Sequence, residues 1–237
     1  MQRTILWKTI IMDSVPLTDA TSYSFFSESS EPTSSIATYT ENQAIRWLIA
    51  NRPFRNDFIR EFIPANTAYF LHHNLVEPFT RPTLKPGDID LLLYPVDDPS
   101  RAIAIECKRL KLVSHPDGST TVNRAGEIDK GIQQANAYRE LGFHQTYLLV
   151  ILLDDGRELA TPNPMFRYTT GEPVDRVLNV RWRKERHPDV GVIYIKVNQM
   201  LKKDINHAHS IGYFIDERAT PREQTGAMTN KIRSLHA

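Results

Sequence analysis

The chain has a single cysteine, Cys107, among its 237 residues. One thiol excludes an internal disulfide framework and any cysteine-rich zinc site, and it suits a reducing compartment. Long apolar runs are missing as well. The longest, Tyr147 to Leu153, is far too short to span a bilayer. The opening residues, Met1 to Lys8, place a lysine inside their only apolar stretch and lack the apolar core of a signal peptide. The expectation is a cytoplasmic protein. An excess of either charge is also absent, with 29 Lys and Arg against 28 Asp and Glu. That balance excludes a polybasic protein and leaves nucleic-acid binding to a local basic patch. No Gly-x-Ser-x-Gly, P-loop or Gly-x-Gly-x-x-Gly motif is present, so serine hydrolases, P-loop NTPases and Rossmann enzymes lose their usual anchors. His72-His73 and His207/His209 come without the partner motif that a zinc site needs.

What is present is enough for a core, with 41% hydrophobic and 24% charged residues. The N-terminal part differs in composition from the rest. Thr9 to Ile45 contains no Lys or Arg, and 13 of the 27 residues from Ser14 to Thr40 are Ser or Thr. Residues 1–39 therefore read as an acidic, Ser/Thr-rich arm. Residues 40–216 read as one α/β domain and 217–237 as a C-terminal tail.

Thr40-Glu41-Asn42-Gln43 has the form of a capping box, followed by Ala44, Ile45, Leu48 and Ile49 at helical spacing. A second helix opens at Pro53, with Phe54, Phe58 and Phe62 on one face. Turn signals at Lys85-Pro86-Gly87, Asp97 to Ser100 and His115 to Gly118 bound strands at Asp88–Tyr94 and Arg101–Lys108, with a third strand on one side of the last turn. Gly126 to Gly142 reads as a helix and Tyr147 to Leu153 as a strand buried on both faces. Further strands are expected at Asp189–Val197 and Ser210–Asp216.

The chemistry concentrates in Gly87-Asp88-Ile89-Asp90-Leu91 and Ile105-Glu106-Cys107-Lys108. Alternation puts Asp88 and Asp90 on one face of their strand, and Glu106 and Lys108 on one face of theirs. Cys107 points the other way, into the core. The short turn favours an antiparallel hairpin. Pairing Tyr94 with Ala102 sets Asp90 opposite Glu106 and Asp88 opposite Lys108, with Cβ atoms about 5 Å apart. Two carboxylates that close repel unless positive charge joins them, which a divalent cation such as Mg²⁺ supplies. A lysine beside them adds charge where a phosphate transition state needs it.

This pattern resembles the PD-(D/E)XK nuclease superfamily, the restriction-endonuclease-like fold. Asp90 matches the family's Asp, and Glu106-Cys107-Lys108 matches its Glu-x-Lys. Gly-Asp-Ile-Asp-Leu resembles the form found in the resolvase-like and RecB-like branches. Gln134-Ala135-Asn136-Ala137-Tyr138 has the Gln-x-x-x-Tyr spacing of the RecB-like branch, on a helix face that also carries Lys130. The literal Pro-Asp is absent, because Gly87 separates Pro86 from Asp88, so Asp88 competes with Asp90 for the Asp role. The resemblance covers roughly residues 40–153.

It implies a core of helix, three-stranded antiparallel meander, helix and strand, here with a C-terminal strand extension. It also implies a Mg²⁺-dependent hydrolase, with Mn²⁺ as substitute, that cuts phosphodiester bonds in DNA, RNA remaining open. Asp90, Glu106 and the Cys107 backbone carbonyl would hold the metal. Lys108 would orient water or neutralise the scissile phosphate. Gln134 and Tyr138 would position the strand or the lysine. A first-helix carboxylate often joins such sites; Glu41 is the candidate, with Glu61 as competitor. Lys130 and the basic cluster Arg181, Arg183, Lys184 are candidate phosphate contacts. A homodimer or a subunit of a larger nucleic-acid-processing complex fits the family. The rival readings are a non-catalytic DNA-binding or assembly subunit that keeps the fold, and an unrelated α/β protein with an accidental motif.

Overall fold

The computed structural model describes residues 10–12, 39–76, 79, 87–115, 120–154, 177, 179–199 and 209–236. They form a mixed α/β fold. Its strands are β1 (Ile10–Met12), β2 (Tyr69–Leu75), β3 (Ile89–Pro95), β4 (Ile103–Ser114), β5 (Thr120–Asn123), β6 (Gln145–Asp154), β7 (Gly191–Gln199) and β8 (His209–Glu217). The helices are α1 (Glu41–Ala50), α2 (Arg52–Arg60), α3 (Glu127–Leu141) and α4 (Gly226–Arg233). No described helix is long and apolar enough to cross a membrane.

The strands make one sheet in the order β1-β8-β7-β6-β4-β3-β2, with β5 pairing β4 off this path. β4, β6 and β7 run parallel to one another; the other pairings are antiparallel. The parallel centre explains the continuous apolar run in β6. Leu149, Ile151 and Leu153 pack with Ile105, Cys107 and Ile195 towards α1 and α2. Leu148, Val150 and Leu152 pack with Leu110, Tyr194 and α3 residues Ile128, Ile132 and Ala135 on the opposite face. A third apolar cluster joins Ile89, Leu92 and Ala104 to Tyr138, Phe143 and α4 residues Met228 and Ile232.

The helix starts follow their capping signals. Thr40 Oγ1 accepts from Gln43 N at 3.3 Å and Gln43 Oε1 from Thr40 N at 2.8 Å, the reciprocal pair expected from the sequence. Asn51 Oδ1 accepts from Phe54 N at 3.0 Å and opens α2, with Pro53 in its first turn. Phe54 stacks on Phe58, which meets Phe62 edge to face. Gly142 ends α3 with φ +103°.

The meander preceding α3 is β2-β3-β4. Its first strand, β2, was not expected: His72, His73 and Asn74 make it polar, and it is only half buried. The strand expected as Arg101–Lys108 begins at Ile103 and continues to Ser114, where it pairs with β5. Arg101 instead closes a short 3-10 turn over Pro99–Arg101. Of the N-terminal arm, Ile10–Met12 pairs with β8 as an edge strand. Residues 1–9 and 13–38 lie outside the described residues. The C-terminal segment carries α4. Ahead of it, the buried Gln224 accepts from Ala102 N at 3.2 Å and donates to Pro99 O at 2.9 Å.

Candidate functional site

One edge of β4 is paired discontinuously. β3 pairs along it as far as Leu91↔Ile105, and β5 takes over from Lys111↔Asn123. Between them, two β4 backbone N–H groups face a gap, and two carboxylates from other elements satisfy them. Asp90 Oδ2 accepts from Cys107 N at 2.7 Å. Glu41 Oε2, from the first turn of α1, accepts from Arg109 N at 2.9 Å. A buried backbone donor needs a partner, and here side chains replace the missing strand.

The register Leu91↔Ile105 is the one that sets Asp90 level with Glu106. Their face of the sheet is the one α3 covers. Glu106 is 1% exposed, Lys108 7% and Asp90 8%, so all three need internal compensation. Lys108 Nζ lies 2.5 Å from Glu106 Oε1 and 3.6 Å from Glu41 Oε1. The Tyr138 hydroxyl sits 2.6 Å from Glu106 Oε2 and also reaches the backbone carbonyl oxygen of Asp88. With one proton it donates to one of these at a time.

The charge balance is visible in the protonation of each group. Burial raises Asp90 well above the usual carboxylate range, and neighbouring Glu106 adds to this, against the pull of the Cys107 N–H. Burial lifts Glu106 to about 7, although Lys108 and Tyr138 both favour its ionised form. Burial works against the Lys108 ammonium too, but Glu106, Glu41 and Asp90 together hold it above its ordinary value. Burial, Glu106 and Asp90 keep Tyr138 a neutral phenol. The cluster is thus a fixed cation inside an acidic shell that is incompletely neutralised.

Asp88 lies just before β3 and contributes its backbone carbonyl; the buried carboxylate is that of Asp90. Gln134 Nε2 stands 3.8 Å from where a Cβ on Gly87 would be, at a backbone φ of +97°. This brings α3's Gln134 beside Gly87, the residue before Asp88. Glu61 is elsewhere, paired with Arg218 at 2.8 Å and in contact with Tyr213. Among the described residues no three His, Cys, Asp or Glu side chains converge as a metal-binding group.

The basic cluster Arg181, Arg183 and Lys184 lies apart from Asp90, Glu106 and Lys108. Asp129 and Asn136 mark one flank of α3, and Gln134 and Tyr138 the other. The Arg181–His187 segment docks on the first flank. Arg183 pairs with Asp129 at 2.5 Å, and Asn136 donates to Glu185 O at 2.7 Å. Arg181 lies 3.7 Å from Asp216, with its guanidinium 4.2 Å above the Trp182 ring. Lys184 is exposed. Lys130 pairs with Glu127 at 2.8 Å on the exposed side of α3.

One residue escaped the sequence reading. A Cβ on Gly131 would stand 2.6 Å from Lys108 Cγ and 2.8 Å from Leu148 Cδ1. The α3 backbone therefore rests directly on the lysine stem. The available signal was a glycine in a helix interior, which costs about 1 kcal/mol relative to alanine and asks for a packing reason.

No protein-family model matches the chain, and no curated protein is significantly similar to it.

Proposed function

We propose that this cluster hydrolyses phosphodiester bonds in nucleic acid, DNA in the first instance, with the help of a divalent cation. The observation that carries the reading is the joining of Asp90, Glu106 and Lys108, all buried, at an opened strand edge. The order α1, α2, β2-β3-β4, β5, α3, β6 supports it, because with α2 and β5 added it contains the helix, three strands, helix and strand that the resemblance implies.

The donor chemistry fits a hard cation. Asp90 and Glu106 are oxygen ligands, and burial raises the proton affinity of both. Asp90, Glu106 and the Cys107 carbonyl would hold Mg²⁺, with Glu41 beside them; the ion supplies a more acidic water and charge for the displaced oxygen. The chain's own groups do the rest. Lys108, kept ionised by its carboxylates, offers fixed positive charge to the phosphate oxygens. Tyr138 fixes Glu106 through its hydroxyl, and Gln134 stands beside Gly87. In the reaction a water oxygen bonds to phosphorus, the P–O bond to the leaving alcohol breaks, and that oxygen takes up a proton.

The test offers supercoiled plasmid, linear duplex, single strands, a four-way junction and RNA to the purified protein with Mg²⁺, Mn²⁺ or EDTA. Metal-dependent cutting that disappears in folded Lys108→Ala is the expected result. Binding without cutting moves the protein to a DNA-binding or assembly role. Neither binding nor cutting on any substrate removes the proposal.

A further inference from the structure

Trp182 is 68% exposed, and among the described residues the only other large apolar side chain left in the open is Val96, at 46%. Val96 follows β3 and bonds through its N–H to Ala68 O, on the β2 side of the sheet. Trp182 stands towards β8 instead, next to Arg181, which lies 3.7 Å from Asp216 of that strand. The indole therefore belongs to no described apolar patch of the kind that a protein partner covers. The 3-10 turn that presents it, Val180–Trp182, is nevertheless firmly held. Val180 is buried in one cluster with Tyr194 and Ile128. Arg186 Nη2 donates to Arg181 O at 2.8 Å, and the Asn136 side chain of α3 donates to Glu185 O and accepts from His187 N. A ring fixed in this way loses little freedom on binding.

The ring has one covered face and one open face. The Arg181 guanidinium lies over the first, 4.2 Å from the centroid. The second is left to solvent, as the exposure of the residue requires. An open aromatic face backed by a cation takes another flat ring, and a nucleobase is such a ring. The surrounding charge has the sign that a nucleic acid needs. Residues 181–186 hold three Arg and one Lys against one Glu. Arg181 and Arg183 are tied to Asp216 and Asp129, and Arg186 to main-chain carbonyls. The cation left for a phosphate is the exposed Lys184, two residues from the ring.

One turn of α3 relates this surface to the acidic cluster. Gly131 rests on the Lys108 stem, and Asp129, on the other side of the same turn, holds Arg183 at 2.5 Å. Lys108 and the Trp182 segment are thus about one helix width apart, on the order of 10 Å. Lys130 lies between Asp129 and Gly131 with its side chain 67% exposed, and its surface ion pair with Glu127 is weak enough to yield to a phosphate. Resting on the reading of the cluster as a nucleic-acid hydrolase, we infer that Trp182 is a stacking platform for an unpaired base of the bound strand. That base lies a few nucleotides from the phosphate presented to Asp90, Glu106 and Lys108. Arg181 backs the ring, Lys184 meets the adjoining phosphate, and the strand crosses α3 at Lys130. A base within a duplex already has stacking neighbours on both faces, so the platform selects a substrate that is single-stranded at this point.

Two measurements on the full chain test this. The first follows binding of a labelled oligothymidylate and of a labelled duplex of the same length in EDTA across a salt series. The proteins compared are the wild type, Trp182→Ala, Trp182→Phe and Lys184→Ala. Trp182→Ala should bind the single strand roughly five- to a hundredfold more weakly with an unchanged salt slope, and should bind the duplex as the wild type does. Trp182→Phe should recover most of the loss, because a phenyl ring also stacks. Lys184→Ala should instead lose about 0.7 of a unit of salt slope on the single strand. All three variants should melt with the wild type, both side chains being exposed. Unchanged single-strand affinity in Trp182→Ala overturns the platform, and an equal loss on duplex overturns the selection for unpaired bases. The second measurement is sedimentation of the wild type and Trp182→Ala. An oligomer that dissociates in the variant, with strand affinity unchanged, would assign the ring to a contact between copies and overturn the proposal. Strand binding that needs Trp182 in a protein that cuts nothing with Mg²⁺ or Mn²⁺ would keep the platform and remove the hydrolase reading. Metal-dependent cutting and strand binding that are the same with and without the indole would keep the hydrolase and remove the platform.

Discussion

The Asp90 carboxylate accepts a 2.7 Å hydrogen bond from the backbone N–H of Cys107, the residue between Glu106 and Lys108. One bond therefore locks the aspartate of one strand to the Glu-x-Lys of the next. It forms just where the ladder between them ends, at Leu91↔Ile105. The two strands part there, and the side chain takes over the work of a main-chain carbonyl.

Lys108→Ala removes the buried ammonium beside Glu106. The remaining carboxylate can escape by taking a proton, so the loss depends on pH. At pH 8 the variant should lose about 2 kcal/mol, and clearly less near pH 5.5, where Glu106 is protonated anyway. Urea titrations at the two pH values read this directly. Equal losses would mean that the 2.5 Å ion pair with Glu106 does not control the energetics of the site.

Glu106 titrates near 7 in the fold against 4.5 in an open chain, so the native state binds the extra proton between those values. Its contribution to stability is therefore fully present below about pH 4.5 and declines as pH rises through about 7. Asp90 acts in the same direction. Glu106→Gln should flatten this part of the stability–pH curve. On the proposed reading, Mg²⁺ binding at about pH 6 should also release protons, and calorimetry in two buffers of different ionisation enthalpy would detect them. A stability curve of unchanged slope in Glu106→Gln counts against the assignment.

Gly131→Ala tests how tightly α3 seats on Lys108. Helix propensity alone would make alanine stabilising by about 1 kcal/mol. The new methyl instead meets Lys108 Cγ and Leu148 Cδ1 at under 3 Å, so a net loss of about 1–3 kcal/mol is expected. Gly126→Ala, with nothing within 4 Å of the new Cβ, serves as control and should be close to neutral. Denaturation midpoints decide the matter, and equal behaviour of the two variants would sink the packing account.

Cys107 is fully buried, and burial pushes its thiol well above the ordinary value. Its reaction with a thiol reagent should therefore follow global opening of the sheet, slowing as stability rises. Rapid labelling of the native protein at neutral pH would mean that the centre of β4 opens locally.

The hairpin carrying Asp90 and Glu106 was legible because its register depends only on alternation and a short turn. Tyr94 opposite Ala102 and Leu91 opposite Ile105 are the same register. Helices α1 and α2 were announced by Thr40, Gln43, Pro53 and the phenylalanine spacing. β2 was hidden because a half-buried edge strand tolerates His72 and His73, which weaken the apolar alternation that marks a strand. The break in pairing along β4 had no local signal at all. It depends on where β3 leaves and β5 arrives, so Glu41 could be proposed only by resemblance. Gly131 carried a signal of cost without showing what the cost was for.

Gln224 clasps the turn between β3 and β4, accepting from Ala102 and donating to Pro99 across more than 120 residues of sequence. A tie of that span closes late, because the chain between must already be arranged. The hairpin that presents the acidic pair is therefore fastened from a segment more than 120 residues downstream. An emerging chain can build α1, the meander and α3 while that fastening is still unsynthesised, so the clasp couples the finished site to synthesis of the segment that carries Gln224.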